Sequence, residues 1–266
     1  MKGTGMISGW TTLAGAALTA AAIVLAPLPA QAASDYKAPR DVAWSWEGPF
    51  GTFDRAAVQR GFQVYKEVCS ACHGMQYLRY RNLGDEGGPG FSEAEVKAIA
   101  AAYQVTDGPN DDGDMFERPG QPKDPFVKPF ANEQIARLAN NGAYPPDLSL
   151  MTKARDGGAD YVYSLLTGYE DAPADIQMQP GMNYNPYFPG MQIAMAQPIY
   201  PDQVSYADGT EATVSQMTRD VVTFMHWAAE PKLEQRKQTG FVVMTFLIIL
   251  AGLLYFTQRK IWSDQH

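Results

Sequence analysis

Two cysteines and a histidine at residues 69–73 are the residues of this chain best placed to do chemistry. Cys69-Ser70-Ala71-Cys72-His73 has the spacing C-x-x-C-H, and the 266-residue sequence contains no other cysteine. On a helical turn, cysteines three residues apart lie on one face, so each thiol can add to one vinyl group of a haem. His73 can then bind the iron as the proximal ligand. The motif therefore predicts one covalently attached haem c per chain.

Three other uses of a C-x-x-C pair compete with haem attachment. A zinc site needs further ligands, and no other cysteine is available to supply them. A thioredoxin-like redox pair or a disulfide does not need a histidine directly after the second cysteine. Export of the chain would favour haem further, because haem is attached to C-x-x-C-H outside the bacterial cytoplasm.

The N-terminus has the three parts of a secretory signal peptide. Lys2 gives a positive start, residues 13–28 are mostly apolar, and Ala30-Gln31-Ala32 is an A-x-A cleavage site. We therefore predict a signal peptide over residues 1–32, with Ala33 as the first residue of the mature chain. A retained membrane anchor is the alternative interpretation.

A second apolar run lies near the C-terminus. Residues 239–257 carry no charged side chain, and a helix of that length crosses about 28 Å, close to the thickness of a bilayer core. We predict a transmembrane helix over 238–257, with a buried core helix as the alternative. The signal peptide then places residues 33–237 in the periplasm as the haem domain and residues 258–266 in the cytoplasm. We expect a single-pass protein of the bacterial inner membrane.

The haem motif needs a helix to position it, and the residues before it have a helical pattern. Thr52 or Asp54 can cap that helix, and an apolar stripe follows at helical spacing. The stripe consists of Val58, Phe62, Tyr65, Val68, Cys69 and Cys72. Further helical segments are predicted over residues 92–102, 132–141, 160–167 and 214–228, and a segment that starts at residues 145–149 is predicted to be helical through Ala154. We also predict an extended arm over 44–50 and irregular loops over 104–120 and 172–210. The fold class is therefore mainly α, a c-type cytochrome haem domain with long irregular loops plus one C-terminal transmembrane helix.

The chain is acidic, with a net charge of −8. Acidic side chains concentrate in residues 107–117 and at Glu170-Asp171. Opposite charge accelerates encounter with a basic protein partner, so these acids are candidates for a docking surface. Solubility is the simpler explanation for any single acid. We expect no nucleic-acid binding.

A histidine-ligated iron takes a sixth ligand or leaves an open position. His226 lies in a helical pattern, where a packing role is the more common one. Among the methionines, Met191 and Met195 stand out because they follow a loop rich in proline and aromatic residues, 184–190. The residues alone leave Met182, Met191 and Met195 as equal candidates.

Several longer segments resemble the cytochrome c1 family, the haem subunit of the quinol–cytochrome c reductase (bc1) complex, in its bacterial type. The matching segments are 61–69 (GFQVYKEVC), 107–110 (DGPN), 140–149 (NNGAYPPDLS), 185–190 (NPYFPG) and 227–231 (WAAEP). The resemblance extends over nearly the whole mature chain, including the C-terminal anchor. Residues 84–91 offer little to match.

The resemblance implies further site residues. Ile193-Ala194-Met195-Ala196-Gln197-Pro198 matches the context of the family's axial methionine, which selects Met195 as the second iron ligand. Residues 155–161 (RDGGADY) match the run that carries the family's haem-propionate partners, here Arg155 and Tyr161. The same resemblance places five more residues in the haem pocket: Asn140, Pro145, Pro146, Phe188 and Pro198.

The resemblance also implies a function. The chain would take electrons from a Rieske iron–sulfur protein and pass them to a cytochrome c. It would do so beside cytochrome b and membrane lipid, in a dimeric multi-subunit complex that serves respiration or photosynthesis. The isolated chain would not be an enzyme but a redox subunit of the ubiquinol–cytochrome c oxidoreductase. A freestanding, membrane-anchored cytochrome c that serves an oxidase is the alternative, and a structural assembly protein fits C-x-x-C-H poorly.

Overall fold

The computed structural model describes residues 36–263, so the predicted signal peptide lies outside the described residues. The fold is mainly helical, as predicted, with two short antiparallel hairpins. The helices are α1 (Arg55–Val64), α2 (Glu93–Ala101), α3 (Glu133–Ala139), α4 (Met151–Ala154), α5 (Gly158–Leu166), α6 (Val214–Ala229) and α7 (Leu233–Trp262), and the strands are β1 (Gln104–Asp107), β2 (Phe116–Pro119), β3 (Asn183–Tyr184) and β4 (Gln192–Ile193).

The core forms where α1 packs against α6. Val58 and Phe62 of α1 are buried, as are Phe224 and Trp227 of α6. The two backbones approach so closely that a Cβ on Gly61 would lie 2.0 Å from the carbonyl oxygen of Asp220. Only glycine fits there. This close contact fixes the helix that leads into the haem motif.

An ion pair between Arg60 and Asp220 also joins α1 to α6. Asp220 of α6 is fully buried and accepts hydrogen bonds from Nε and Nη2 of Arg60, at 2.9 and 3.0 Å. Nη1 of Arg60 also reaches Asp208, at 2.9 Å, and Gln216 donates to Asp220 at 3.1 Å. One guanidinium therefore joins α1, α6 and the segment before α6.

Local capping signals place the helix starts as the sequence predicts. The Asp54 carboxylate accepts from the first amides of α1, so Asp54, not Thr52, is the cap. Ser92 and Glu95 form a capping box on α2, and Asn132 caps α3. Such signals depend on neighbours in the chain, which is why they can be recognised in the sequence.

The prediction of an irregular loop over residues 104–120 is wrong at both ends. β1 pairs with β2, with Gln104 opposite Pro119 and Asp107 opposite Phe116. Arg118 holds the hairpin together, because it bonds Asp107 across the strands and forms a two-point ion pair with Asp124. Only the tip, residues 108–115, remains irregular. The long segment 172–210 likewise contains the small β3–β4 hairpin.

The arm over residues 44–50 does not stay extended, because it turns at once: the amide of Glu47 donates to the carbonyl of Trp44 at 3.2 Å. Trp44 and Trp46 are buried and stack at 4.7 Å between ring centroids. The C-terminal helix α7 begins at Leu233, before the predicted apolar run. It is long and apolar enough to cross a membrane, and the large apolar side chains of its apolar run, from Phe241 onward, are exposed, which excludes a core helix.

Candidate haem site

The helix that leads into the motif changes its winding just before the first cysteine. α1 continues as a π-helix over Tyr65–Cys69, and the amide of Ser70 bonds the carbonyl of Tyr65 at 2.8 Å. The amides of Cys72 and His73 then both donate to the carbonyl of Cys69, at 3.1 and 2.9 Å. The motif is therefore wound as a helical turn. Single π turns of this kind are frequent at functional sites.

Both thiols are free, as covalent haem attachment requires. Cys69 is partly buried and Cys72 is exposed, so the predicted apolar stripe ends before Cys72. Burial raises the pKa of Cys69 to about 12, and the neighbouring thiol of Cys72 adds to the shift. Cys69 therefore faces the protein interior and Cys72 faces outward.

His73 has the hydrogen-bonding arrangement of an iron ligand. Its Nδ1 lies 2.8 Å from the carbonyl oxygen of Pro146. A carbonyl oxygen can only accept, so Nδ1 carries the proton and Nε2 keeps a free lone pair. Burial lowers the pKa of His73, which favours the neutral imidazole that a metal needs. The Tyr65 hydroxyl also donates a hydrogen bond to the backbone carbonyl of His73, at 3.1 Å.

A second segment, residues 146–149, is bonded along the motif and so positions Pro146. The amide of Leu148 donates to the carbonyl of Gly74 at 2.8 Å. Asp147 accepts from the amide of Gln76 at 2.8 Å and from the amide of Ser149 at 2.9 Å. Three bonds therefore fix the loop whose carbonyl orients His73.

Of the predicted propionate partners, Arg155 lies on the turn between α4 and α5, and Tyr161 lies within α5, near enough to interact electrostatically with Arg155. Arg155 is exposed, and within residues 36–263 it forms no ion pair. Tyr161 is buried, which raises its pKa, and the positive charge of Arg155 opposes that shift. The pair thus offers a guanidinium and a phenol hydroxyl near each other, which are donors suited to a carboxylate.

The methionine candidates differ in what surrounds them. Met195 is partly buried, and the Tyr169 hydroxyl donates to its carbonyl at 3.0 Å. Met191 has a left-handed backbone, φ 58°, and its Sδ lies 3.9 Å from the Tyr184 hydroxyl. The sulfur of Met191 is thus already engaged, whereas the hydrogen bond to Met195 leaves its thioether free.

Among the described residues, the predicted site falls into two groups. One surrounds the Cys69–His73 turn with Pro146. The other contains Met195, Arg155 and Tyr161, connected through Tyr169, which interacts electrostatically with Tyr161. Both groups border one hydrophobic core, since Tyr161 is part of it and Cys69 packs against it.

The remaining predicted pocket residues have visible structural roles. The Asn140 amide donates to the carbonyl of Ala136 at 2.7 Å and so ends α3. Pro145 lines a surface cleft that also includes Cys72 and Tyr144. Phe188 and Pro198 are partly buried, and the Phe188 carbonyl accepts from the amide of Met191 at 2.7 Å. Their contact with haem stays a prediction.

His226 is a packing residue, as predicted. Its ring stacks on Trp46 at 4.8 Å with an interplanar angle of 16°, and its Nδ1 lies 3.2 Å from the Thr152 hydroxyl. Burial lowers its pKa to about 4. The ring is therefore neutral and held within the fold.

The sequence analysis missed the roles of Asp147 and Tyr169, and it assigned Tyr65 only to an apolar stripe. All three act by hydrogen bonds to backbone groups. For Asp147 the motif at residues 140–149 was a usable signal. No sequence signal pointed to Tyr169, because the Met195 carbonyl that it bonds is 26 residues away.

Comparison with known proteins agrees with this geometry. A family model described as "Cytochrome C1 family" matches residues 44–265. The chain is 46% identical to "Cytochrome c1" of Rhodospirillum rubrum over 271 residues, which covers 96% of this chain and 98% of that protein. It is 51% identical to "Cytochrome c1 2, heme protein, mitochondrial" of Arabidopsis thaliana, covering 83% of this chain and 71% of that protein.

A third relative is longer. The chain is 52% identical to "Cytochrome b/c1" of Bradyrhizobium diazoefficiens over 242 residues. That match covers 84% of this chain but only 35% of the relative, so the chain spans about a third of that protein's length. The family match over most of the sequence and the full-length bacterial relative together decide the assignment: this chain belongs to the cytochrome c1 family.

Proposed function

We propose that this chain is the electron-transfer subunit of a bc1 complex. It would receive electrons from a Rieske iron–sulfur protein and pass them to a cytochrome c. The observation that carries the proposal is the turn at residues 69–73, where two free thiols adjoin a histidine whose Nδ1 is bonded to the Pro146 carbonyl. That arrangement leaves Nε2 available to iron and suits a covalently held haem c.

The chain's own residues account for how such a cofactor would be held. Cys69 and Cys72 would form the thioether bonds, and His73 would bind the iron through Nε2. Met195 would supply the second iron ligand, with Tyr169 fixing its backbone. A haem c bound in this way supplies a one-electron iron couple of high potential, because a thioether ligand favours the reduced state.

Arg155 and Tyr161 would bind the haem propionates. Arg155 has no carboxylate partner within residues 36–263, although the chain is rich in acids. An arginine left unpaired beside a buried tyrosine supports a role toward an anionic group that the protein itself does not provide.

The tip of the β1–β2 hairpin is the candidate docking surface for a basic cytochrome c. Asp111, Asp112 and Asp114, which we call the acidic tip, are exposed, and within the described part of the chain they form no ion pair. Asp107 differs, because Arg118 neutralises it and lowers its pKa. Charge available for a partner is therefore concentrated at the tip.

The junction between the haem domain and α7 favours a complex subunit over a freestanding carrier. Glu234, in the first turn of α7, accepts from the amide of Phe53 at 2.8 Å and pairs with Arg55 at 2.5 Å. A tethered shuttle would need a flexible linker, whereas here the chain enters the helix without one. We therefore propose a fixed haem domain in the periplasm, anchored once in the inner membrane beside cytochrome b, within a dimeric complex.

The iron ligand is tested by replacing one methionine at a time. Met195→Leu should abolish the long-wavelength thioether-to-iron absorption and lower the potential by on the order of a hundred millivolts or more. The fold should survive, because leucine is close to methionine in volume. Met191→Leu is the matched control and should leave the band unchanged. The opposite pattern would show that Met191 is the ligand.

Covalent attachment and assembly are tested on the wild-type chain. The haem should stay with the polypeptide through denaturing electrophoresis, since thioether bonds survive it. Loss of the haem into acidified acetone would contradict attachment by Cys69 and Cys72. In mild detergent the chain should co-purify stoichiometrically with a b-type cytochrome, and isolation as a single haem protein would favour the freestanding carrier.

A further inference from the structure

The loop Trp46–Gly51 is bonded directly to the start of α7. The Lys237 ammonium donates to the carbonyls of Trp46 and Gly51, at 2.5 and 3.1 Å. The loop is tight, because a Cβ on Gly51 would lie 1.9 Å from the carbonyl oxygen of Glu47. The loop is therefore held against the first turns of α7 at both of its ends.

Phe50 stands out at this loop. Its side chain is 78% exposed, although a phenylalanine normally enters the core. Its ring centroid lies 6.1 Å from that of Phe241, a residue of α7 that is itself 62% exposed. The two rings continue the apolar surface of α7 onto the haem domain.

The position of Phe241 fixes the depth of Phe50 once α7 spans a membrane. The uncharged run 239–257 has its midpoint at Ile248, seven residues beyond Phe241. At about 1.5 Å per residue, Phe241 lies about 10 Å from the bilayer centre, within a half-thickness of about 15 Å. Phe50, in contact with Phe241, then lies at the boundary between hydrocarbon and headgroups.

We propose that Phe50 enters the outer leaflet as a second membrane contact, and that the loop 46–51 sets the depth of the haem domain. The occupant of this surface is lipid. A single ring on a tight loop is too small for a protein interface, which buries on the order of 1,000 Å² or more. Its apolar surface is instead continuous with that of α7. The proposal depends on α7 spanning the membrane and not on the haem site.

Photocrosslinking tests the proposal on the full, haem-bearing chain in its native membrane. Phe50 is replaced by p-benzoyl-phenylalanine, which reacts with whatever its ring contacts. We expect a phospholipid adduct on the peptide that contains residue 50. The same replacement at Phe246 within α7 is the positive control, and at Leu138, an 86% exposed residue of α3, the negative control.

Three results would overturn the proposal. An adduct with another polypeptide at residue 50 would identify a protein partner instead. No adduct at residue 50, with a lipid adduct at residue 246, would place Phe50 in water. Equal lipid adducts at residues 50 and 138 would make the contact nonspecific. An unchanged haem spectrum in each variant shows that the fold is kept.

Discussion

The stability of the folded chain should depend on pH through one partly buried histidine. His226 is neutral in the fold, because burial lowers its pKa to about 4, whereas an exposed histidine in the unfolded chain has a pKa of about 6.5. Between these values the unfolded chain binds the extra proton. Stability from His226 is therefore complete above about pH 6.5 and is lost as the pH falls toward 4.

The size of the effect follows from the two pKa values. By linkage, lowering the pH from about 7 to about 5 should cost about 2 kcal/mol of unfolding free energy from this residue alone. Most of the loss arises from protonation of the unfolded chain. Acidic residues with lowered pKa, such as Asp124 and Asp208, lose their stabilisation at lower pH.

Urea unfolding of the full chain in mild detergent measures the unfolding free energy at each pH, and His226→Phe is the matched variant. Phenylalanine keeps a ring against Trp46 and cannot titrate, although it loses the bond to Thr152. The variant should be less stable than wild type at pH 7 by about 1 kcal/mol for that bond, and the gap should close or reverse by pH 5. An equal pH dependence in both proteins would refute the assignment of the effect to His226.

Three further predictions concern other parts of the fold. Asp220→Asn should cost about 1.5–3 kcal/mol of unfolding free energy, because the partly buried guanidinium of Arg60 loses the charge of its buried partner and keeps only Asp208. A loss below about 1 kcal/mol in urea unfolding would contradict a strong ion pair. Neutralising the acidic tip with three asparagines should slow the reaction with a basic cytochrome c in stopped-flow at low salt only, and a rate that is unchanged at every ionic strength would assign the tip to solubility. Tyr169→Phe should let carbon monoxide displace the thioether of Met195 more readily, whereas the matched change Tyr184→Phe should not; equal effects would contradict a positioning role for Tyr169.

The parts of the fold that depend on neighbours in the chain could be predicted from the sequence. The caps Asp54, Ser92 and Asn132 act within one helical turn, and the helical segment predicted over residues 214–228 matches α6. The apolar run of α7 needs only its composition. In each case the physical cause lies within a few residues.

The contacts that build the site could not be predicted in this way. The Pro146 carbonyl bonds His73, which is 73 residues away in the sequence, and Trp46 stacks on His226, which is 180 residues away. The β1–β2 hairpin was missed because its acids suggested a solvated loop, whereas Arg118 neutralises Asp107 and Asp124. Pairings between distant segments leave no periodic pattern in the sequence.

The hydrogen bonds that Lys237 and Glu234 form with the haem domain fix the orientation of that domain on α7, so the helix and the domain move as one rigid body. When the apolar length of a transmembrane helix exceeds the thickness of the local bilayer, the helix tilts, which keeps its apolar surface within the hydrocarbon. Without a hinge, the domain must rotate with it. A globule of about 200 residues has a radius of gyration of about 16 Å, so a tilt of about 10° carries its centre sideways by about 3 Å. Bilayer thickness would thereby become a variable that sets how the redox site is presented to its neighbours.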